Sequence, residues 1–217
     1  MLTIYGVYRS RATRNIWLAM ELGIPFKHVP VMQLYRIKGP IPAGTIHTKS
    51  PEFLAVNPNG HIPSIDDDGF VLHESLAINL YLAKKHGGPL APANVQEDGL
   101  AAMWALWAAT ELEPHTIAIL YNMVAKPPEE RDAKAAAAAI EALRAPFAVL
   151  EANLAKSSHI MGDRFTVCDI NVAEVIRYAL PAKELWEAAP KVSAWLKACQ
   201  SRPAYQDMMA KRNAEPE

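Results

Sequence analysis

Asn57-Pro58-Asn59-Gly60-His61-Ile62-Pro63-Ser64-Ile65, continued by Asp68-Gly69-Phe70-Val71-Leu72-His73-Glu74-Ser75-Leu76-Ala77-Ile78-Asn79-Leu80-Tyr81-Leu82, is the stretch from which the fold of this 217-residue chain can be worked out. It predicts a turn, a strand over Ile62 to Asp66, a tight turn at Asp67-Asp68-Gly69, a strand over Phe70 to Leu72 and a helix from about Ser75 to Lys85. Toward the N-terminus, Leu2 to Gly6 reads as a strand and Arg11 to Leu22 as a helix closed by Gly23 and Pro25. Phe26 to Val31 follows as a second strand. A strand, helix, strand unit with such short joints is a parallel crossover. Ile16 to Met20 are apolar nearly all round, so that helix should be covered on two sides.

The order βαβ then ββα is that of a thioredoxin-like half-domain. From Gln96 onward only helical patterns occur. Leu100, Met103, Trp104 and Trp107 recur at i, i+3, i+4 and i+7 and so share a helix face. Pro114 should kink that helix. Ala135 to Ala139 reads as helix because alanine is the best helix former. Val172, Val175, Ile176, Ala179 and Leu180 mark a buried helix, with Thr166 and Asp169 as its capping box. The helix-breaking segment Gly87-Gly88-Pro89-Leu90-Ala91-Pro92 sets the boundary. The expected fold is α/β plus all-α: a thioredoxin-like domain over 1–86, a linker over 87–96 and a helical bundle domain over 97–217.

Composition narrows the function. Basic and acidic side chains number 22 and 23, so the formal charge is -1 and the electrostatic warrant for a nucleic-acid binder is missing. Apolar runs are broken by charges or prolines before they could span a bilayer, and the first ten residues lack the pattern of a secretory signal. The two cysteines, Cys168 and Cys199, are too few for a disulfide scaffold or a four-thiolate zinc site. A cytoplasmic location follows as the default. The histidines show no metal-ligand spacing, so no metal is expected.

The opening stretch, with its N-P-x-G-x-[IV]-P-x-[IL] and [ED]-S-x-A-I-x-x-Y-[LI] patterns, resembles the cytosolic glutathione transferase family. That family joins a thioredoxin-like domain to an all-helical one, and the resemblance covers the whole chain. It implies that glutathione is the co-substrate and that its cysteinyl unit pairs with the backbone of Ile62, ahead of a cis Pro63. Physical chemistry suits the assignment, because a backbone edge beside a cis proline accepts an extended peptide like an added strand. A helix N-terminus binds carboxylates, Ser75 adds a hydroxyl donor and Glu74 can accept from an ammonium, so the pair fits a γ-glutamyl end. Read alone, Ser75 is an N-cap and Glu74 a favourable dipole partner. His61 and Lys49 are the candidates for the glycine carboxylate, although His61 reads equally well as a solvated loop histidine. The Pro- and Gly-containing segment from Gln33 to Pro51 should supply loop contacts whose partners the sequence does not specify.

Catalysis in such a family requires a thiolate, and a free thiol has a pKa of about 8.5. Ser10-Arg11 and Arg14 resemble the S-R-x-x-R form of many bacterial members. The resemblance implies Ser10 as hydroxyl donor to the sulfur and Arg11 as an electrostatic helper. Ser10 also fits a plain N-cap, and Tyr8 is the rival donor. The other substrate should be a small hydrophobic electrophile, and a homodimer is implied. Glutathione-dependent peroxidase, isomerase or dehalogenase chemistry on the same scaffold, or a non-enzymatic binding role, are the alternatives.

Overall fold

The computed structural model describes residues 1–216. β1 (Leu2–Tyr5), α1 (Ala12–Glu21), β2 (Phe26–Val29), α2 (Pro51–Val56), β3 (Ser64–Asp67), β4 (Phe70–His73) and α3 (Ser75–His86) build the N-terminal part. One four-stranded sheet has the order β2-β1-β3-β4, with β1 parallel to β2 and antiparallel to β3, and β3 antiparallel to β4. The thioredoxin-like order expected from the sequence is present, with each strand ending within two residues of its expected limits. The largest shifts are of two residues: β2 ends at Val29 and not at Val31, and β3 starts at Ser64 and not at Ile62.

In α1, Ile16, Trp17, Leu18 and Ala19 are all fully buried, as an all-round apolar helix requires. One cover is α3. Asn15 Nδ2 donates to the Ser75 carbonyl at 2.8 Å and to Asn79 Oδ1 at 2.7 Å, and Asn79 Nδ2 returns to the Arg14 carbonyl at 3.2 Å. The other cover is α10 (Pro203–Ala214), whose Tyr205 ring meets Trp17 edge-on at 4.9 Å. Contacts therefore group Met1–His86 with the chain from Pro203 onward, and Gly87–Arg202 as a second compact unit. This differs from a helical domain running unbroken from 97: α10 completes the N-terminal unit, because Trp17 and its neighbours need a second apolar partner.

The second unit contains α4 (Val95–Trp107), α5 (Glu113–Leu120), α6 (Ala133–Leu154), α7 (Val167–Ile176), α8 (Lys183–Ala188) and α9 (Pro190–Gln200). Between α4 and α5 the helix widens into a π turn over Ala108–Leu112, just ahead of Pro114. Proline has no N–H and crowds the carbonyl four residues back, and one wider turn relieves both problems. The face of α4 is rotated from expectation. Ala101, Trp104, Ala105 and Ala108 are buried, whereas Leu100 and Met103 are 45% and 47% exposed. α4 packs against α7 with Trp104 and the small Ala101 and Ala105 buried, while Leu100, Met103 and Leu106 are turned outward. All ten residues of α7 are buried. Leu180, expected on the same buried face, lies beyond the helix end and is exposed. Among the described residues no helix is long and apolar enough to cross a membrane.

Candidate active site

Strand register brings the sequence motifs to one end of the sheet. Ser64 pairs with His73 across β3 and β4, and with Tyr5 across β3 and β1. Stepping outward from these pairs, Ile62, Ser75 and Val7 emerge at the same end. A Cβ built on Gly6 would stand 2.9 Å from Ala12 Cβ and 3.4 Å from Ile62 Cβ, so the exit of β1, the start of α1 and the segment before Pro63 are in close contact. Only glycine fits there. The Ile62–Pro63 bond is cis. Neither the N–H nor the C=O of Ile62 finds a partner among the described residues.

Glu74 and Ser75 open α3. Glu74 adopts φ +69°, a left-handed conformation that costs a non-glycine residue about 1 kcal/mol or more. Its carbonyl accepts from the Ile78 N–H at 2.8 Å, while its carboxylate is exposed and makes no hydrogen bond or ion pair among the described residues. Ser75 is buried, and Arg14 NH1 donates to its Oγ at 3.0 Å. A guanidinium only donates, so Ser75 Oγ must be the acceptor and its own hydrogen points elsewhere. Among the described residues neither that hydrogen nor the Ser75 N–H has an acceptor. Arg14 is 1% exposed, which places a buried cation behind the helix start.

Ser10 is buried in the turn after β1. Its hydroxyl donates to the Val7 carbonyl at 2.6 Å and accepts from the Ala12 N–H at 3.1 Å, which ties the turn to the first turn of α1. Arg11 is exposed beside it. Tyr8 is half-buried, its ring edge-on to His28 at 4.8 Å. Burial, followed by the nearby Glu215 charge, raises the Tyr8 pKa, so the phenol keeps its proton at neutral pH.

Lys49 and His61 meet at the Gly60 corner. Lys49 Nζ would lie 3.2 Å from a Cβ on Gly60, whose φ of +64° and closeness to the Thr48 carbonyl exclude a side chain. Both Lys49 and His61 are exposed. Asn57, buried, holds the corner by donating to the His61 carbonyl at 2.8 Å and to Ser64 Oγ at 3.1 Å. From the 33–51 loop, Arg36 NH1 donates to the Arg9 carbonyl at 2.9 Å. Asn57 and Arg36 have no role legible in the sequence, and Arg14 stands out there only as part of the S-R-x-x-R match. The N-P-N-G turn signals the position of Asn57 and the S-R-x-x-R spacing that of Arg14, but Arg36 acts across the chain with no local pattern to announce it.

The remaining chemically suggestive groups are structural. Cys168 is 1% exposed, and burial, reinforced by Asp169, pushes its thiol up to about 12. Such a thiol is inert as a nucleophile. Among the described residues no cluster of three or more His, Cys, Asp or Glu side chains could hold a metal ion. The arrangement at the sheet end instead offers an open peptide edge and, a few residues away, a donor-rich helix start with a free carboxylate. Those groups suit an extended peptide ending in an amino acid's ammonium and carboxylate.

Comparison with known proteins agrees with this chemistry. Residues 9–85 match the family model "Glutathione S-transferase, N-terminal domain", and residues 114–203 match "Glutathione S-transferase, C-terminal domain". The chain is 33% identical over 211 residues to glutathione S-transferase GstB of Escherichia coli, covering 94% of this chain and 95% of that protein. Among solved structures it is similar to the theta class glutathione S-transferase of Xanthomonas axonopodis pv. citri with glutathione bound. That match has 26% identity and a TM-score of 0.77, with 95% of each chain covered. It is also similar to glutathione S-transferase I from maize in complex with an atrazine glutathione conjugate, at 27% identity and a TM-score of 0.83, with 99% of each chain covered.

Proposed function

The chain belongs to the glutathione S-transferase family, and from that premise we propose how its residues divide the work of the reaction. The protein is a glutathione transferase: bound glutathione loses its thiol proton to solvent water, and the sulfur attacks an electrophilic carbon of an apolar partner. A C–S bond forms. The leaving group departs with the bonding pair, or, in conjugate addition, the adduct carbanion takes up a proton.

Glutathione lies along Ile62, its cysteinyl N–H and C=O pairing with that residue's backbone. Its γ-glutamyl carboxylate takes the Ser75 N–H and hydroxyl hydrogen, with the buried Arg14 reinforcing the pull, and its ammonium meets Glu74. Lys49 and His61 serve the glycine carboxylate. Ser10 turns its hydroxyl hydrogen from the Val7 carbonyl toward the sulfur, while the Ala12 N–H keeps its oxygen in place. Arg11 adds positive charge, and Tyr8, protonated, faces the second substrate. Lowering a thiol pKa by about two units takes roughly 2.7 kcal/mol, within reach of one such donor and a neighbouring cation.

The single observation that carries this reading is the set of groups at one sheet end that have no partner among the described residues: the Ile62 backbone, the Ser75 hydrogens and the Glu74 carboxylate. The test is Ser10→Ala, for which turnover falls about 100-fold while affinity for an S-alkyl glutathione changes less than about twofold. Unchanged turnover would reassign the donor role to Tyr8 or Arg11.

The protein is a homodimer in this reading, supported by the exposed apolar Leu100, Met103 and Leu106 along α4. A cytoplasmic location suits a co-substrate that must arrive as a thiol.

A further inference from the structure

The turn that carries Ser10 is gripped from far along the chain. Glu215, in the segment just after α10, accepts with Oε1 from the Tyr8 N–H at 2.9 Å and with Oε2 from the Arg9 N–H at 2.7 Å. The Arg9 side chain answers by donating its Nε–H to the Glu215 carbonyl at 3.0 Å. Successive backbone N–H groups chelating one carboxylate form charge-assisted bonds that fix the dihedral angles between them. Arg36 holds the Arg9 carbonyl at 2.9 Å, and Ser10 itself closes on the Val7 carbonyl at 2.6 Å. Every residue from Val7 to Ser10 is therefore anchored, and two of the anchors come from a single side chain.

We propose that Glu215 is a positioning residue for glutathione activation, holding the Val7–Ser10 turn so that the Ser10 hydroxyl sits where the sulfur needs it. The inference rests on the Ser10 assignment made above. It is distinct from simple electrostatics, and the two have opposite signs. A carboxylate near the sulfur disfavours a second negative charge, so removing Glu215 as a charge alone would make the thiolate form more easily. Removing it as a clamp does the reverse. The Tyr8 and Arg9 N–H groups turn to water, the turn relaxes, and a displacement of about 1 Å at a reacting group is worth up to ~100-fold in rate. The anchor directly follows a packed helix: Tyr205 and Met208 of α10 are buried, so loss of the Glu215 contacts leaves the helix seated.

The experiment measures the ultraviolet absorbance of bound glutathione thiolate against pH, with kcat and KM for glutathione. It uses the full chain and its Glu215→Ala, Glu215→Gln, Ser10→Ala and Ser10→Ala/Glu215→Ala variants. Glu215→Ala is expected to raise the thiolate midpoint by about one pH unit and to lower kcat about tenfold, with KM within about twofold. Glu215→Gln, which keeps one acceptor oxygen, should fall between Glu215→Ala and the parent. In the Ser10→Ala background the Glu215 change should bring no further rise in the midpoint and no further loss of kcat, because the group being positioned is gone and only the removed charge is left to act, in the opposite direction. A midpoint that falls or stays put in Glu215→Ala, while Ser10→Ala shows its full effect, overturns the clamp and leaves the Ser10 assignment standing. Equal losses from Glu215→Ala in both backgrounds also overturn it. If Ser10→Ala itself changes nothing, both readings fail together.

Discussion

Two helix starts in this molecule carry the same pair of chemical groups, a hydroxyl and a carboxylate, and use them in opposite ways. At α7, Asp169 Oδ2 accepts from the Thr166 N–H at 2.8 Å and from the Thr166 hydroxyl at 3.2 Å. Its Oδ1 accepts from the Ile160 N–H at 3.0 Å and from Trp195 Nε1 at 2.8 Å. The carboxylate is fully buried and fully employed. At α3, Glu74 stands exposed in a left-handed conformation, and the Ser75 hydroxyl accepts from Arg14 but has no acceptor for its hydrogen among the described residues. Residue type is thus a poor guide to role. What separates a folding device from a binding device is whether the protein itself consumes the hydrogen-bonding capacity.

The contrast is open to direct attack, most heavily at α7. Asp169→Ala strands the donors that its carboxylate serves and should cost about 4 kcal/mol in denaturant unfolding, while kcat/KM per folded molecule holds. A stability loss under about 1 kcal/mol would show that the buried cap is not the anchor described here.

At α3 the losses move from stability to binding. Ser75→Ala and Glu74→Gln should each weaken glutathione binding about tenfold by calorimetry. Unfolding should change by only about 1 kcal/mol for Ser75→Ala, which leaves Arg14 with one acceptor fewer, and negligibly for Glu74→Gln. Stability losses at Glu74 as large as those at Asp169 would erase the distinction.

The smallest effect concerns a satisfied carboxylate elsewhere in the N-terminal unit. Burial pushes the Asp67 carboxyl up, but hydrogen bonds from Lys85 at 2.5 Å and the Tyr81 hydroxyl at 2.8 Å outweigh it and leave its pKa below the ordinary value. A depressed folded-state pKa adds stability above the unfolded carboxylate value of about 3.9 and loses it as the pH falls through the folded value. Thermal unfolding of the parent and Asp67→Asn should therefore differ slightly near neutrality and converge below about pH 4. A gap that widens toward acid would contradict that sign.

Much of this was readable from the residues alone. The N-P-x-G turn, Pro63 and the E-S pair are local patterns, and local patterns fix strands, helix starts and the backbone edge they expose. Thr166 and Asp169 announced their capping box for the same reason. The rotated face of α4 was not legible, because helical spacing groups Leu100 with Trp104 yet does not say that the alanines beside them offer the tighter packing surface. Nor was the return of α10, which depends on the second face of Trp17 needing cover. Around the site, Arg36 and Glu215 each act on a partner distant in sequence with no spacing that could reveal them, and the S-R-x-x-R spacing that marks Arg14 does not show that its partner is Ser75.

The central claim is that this site turns bound glutathione into a thiolate. Titrating the ultraviolet absorbance of glutathione bound to the unmodified protein answers that directly. The predicted midpoint lies about two pH units below the ~8.5 of a free thiol, with the absorbance lost when an S-alkyl glutathione displaces it. A midpoint at the free-thiol value, with saturable binding, would leave a protein that holds the tripeptide without activating it.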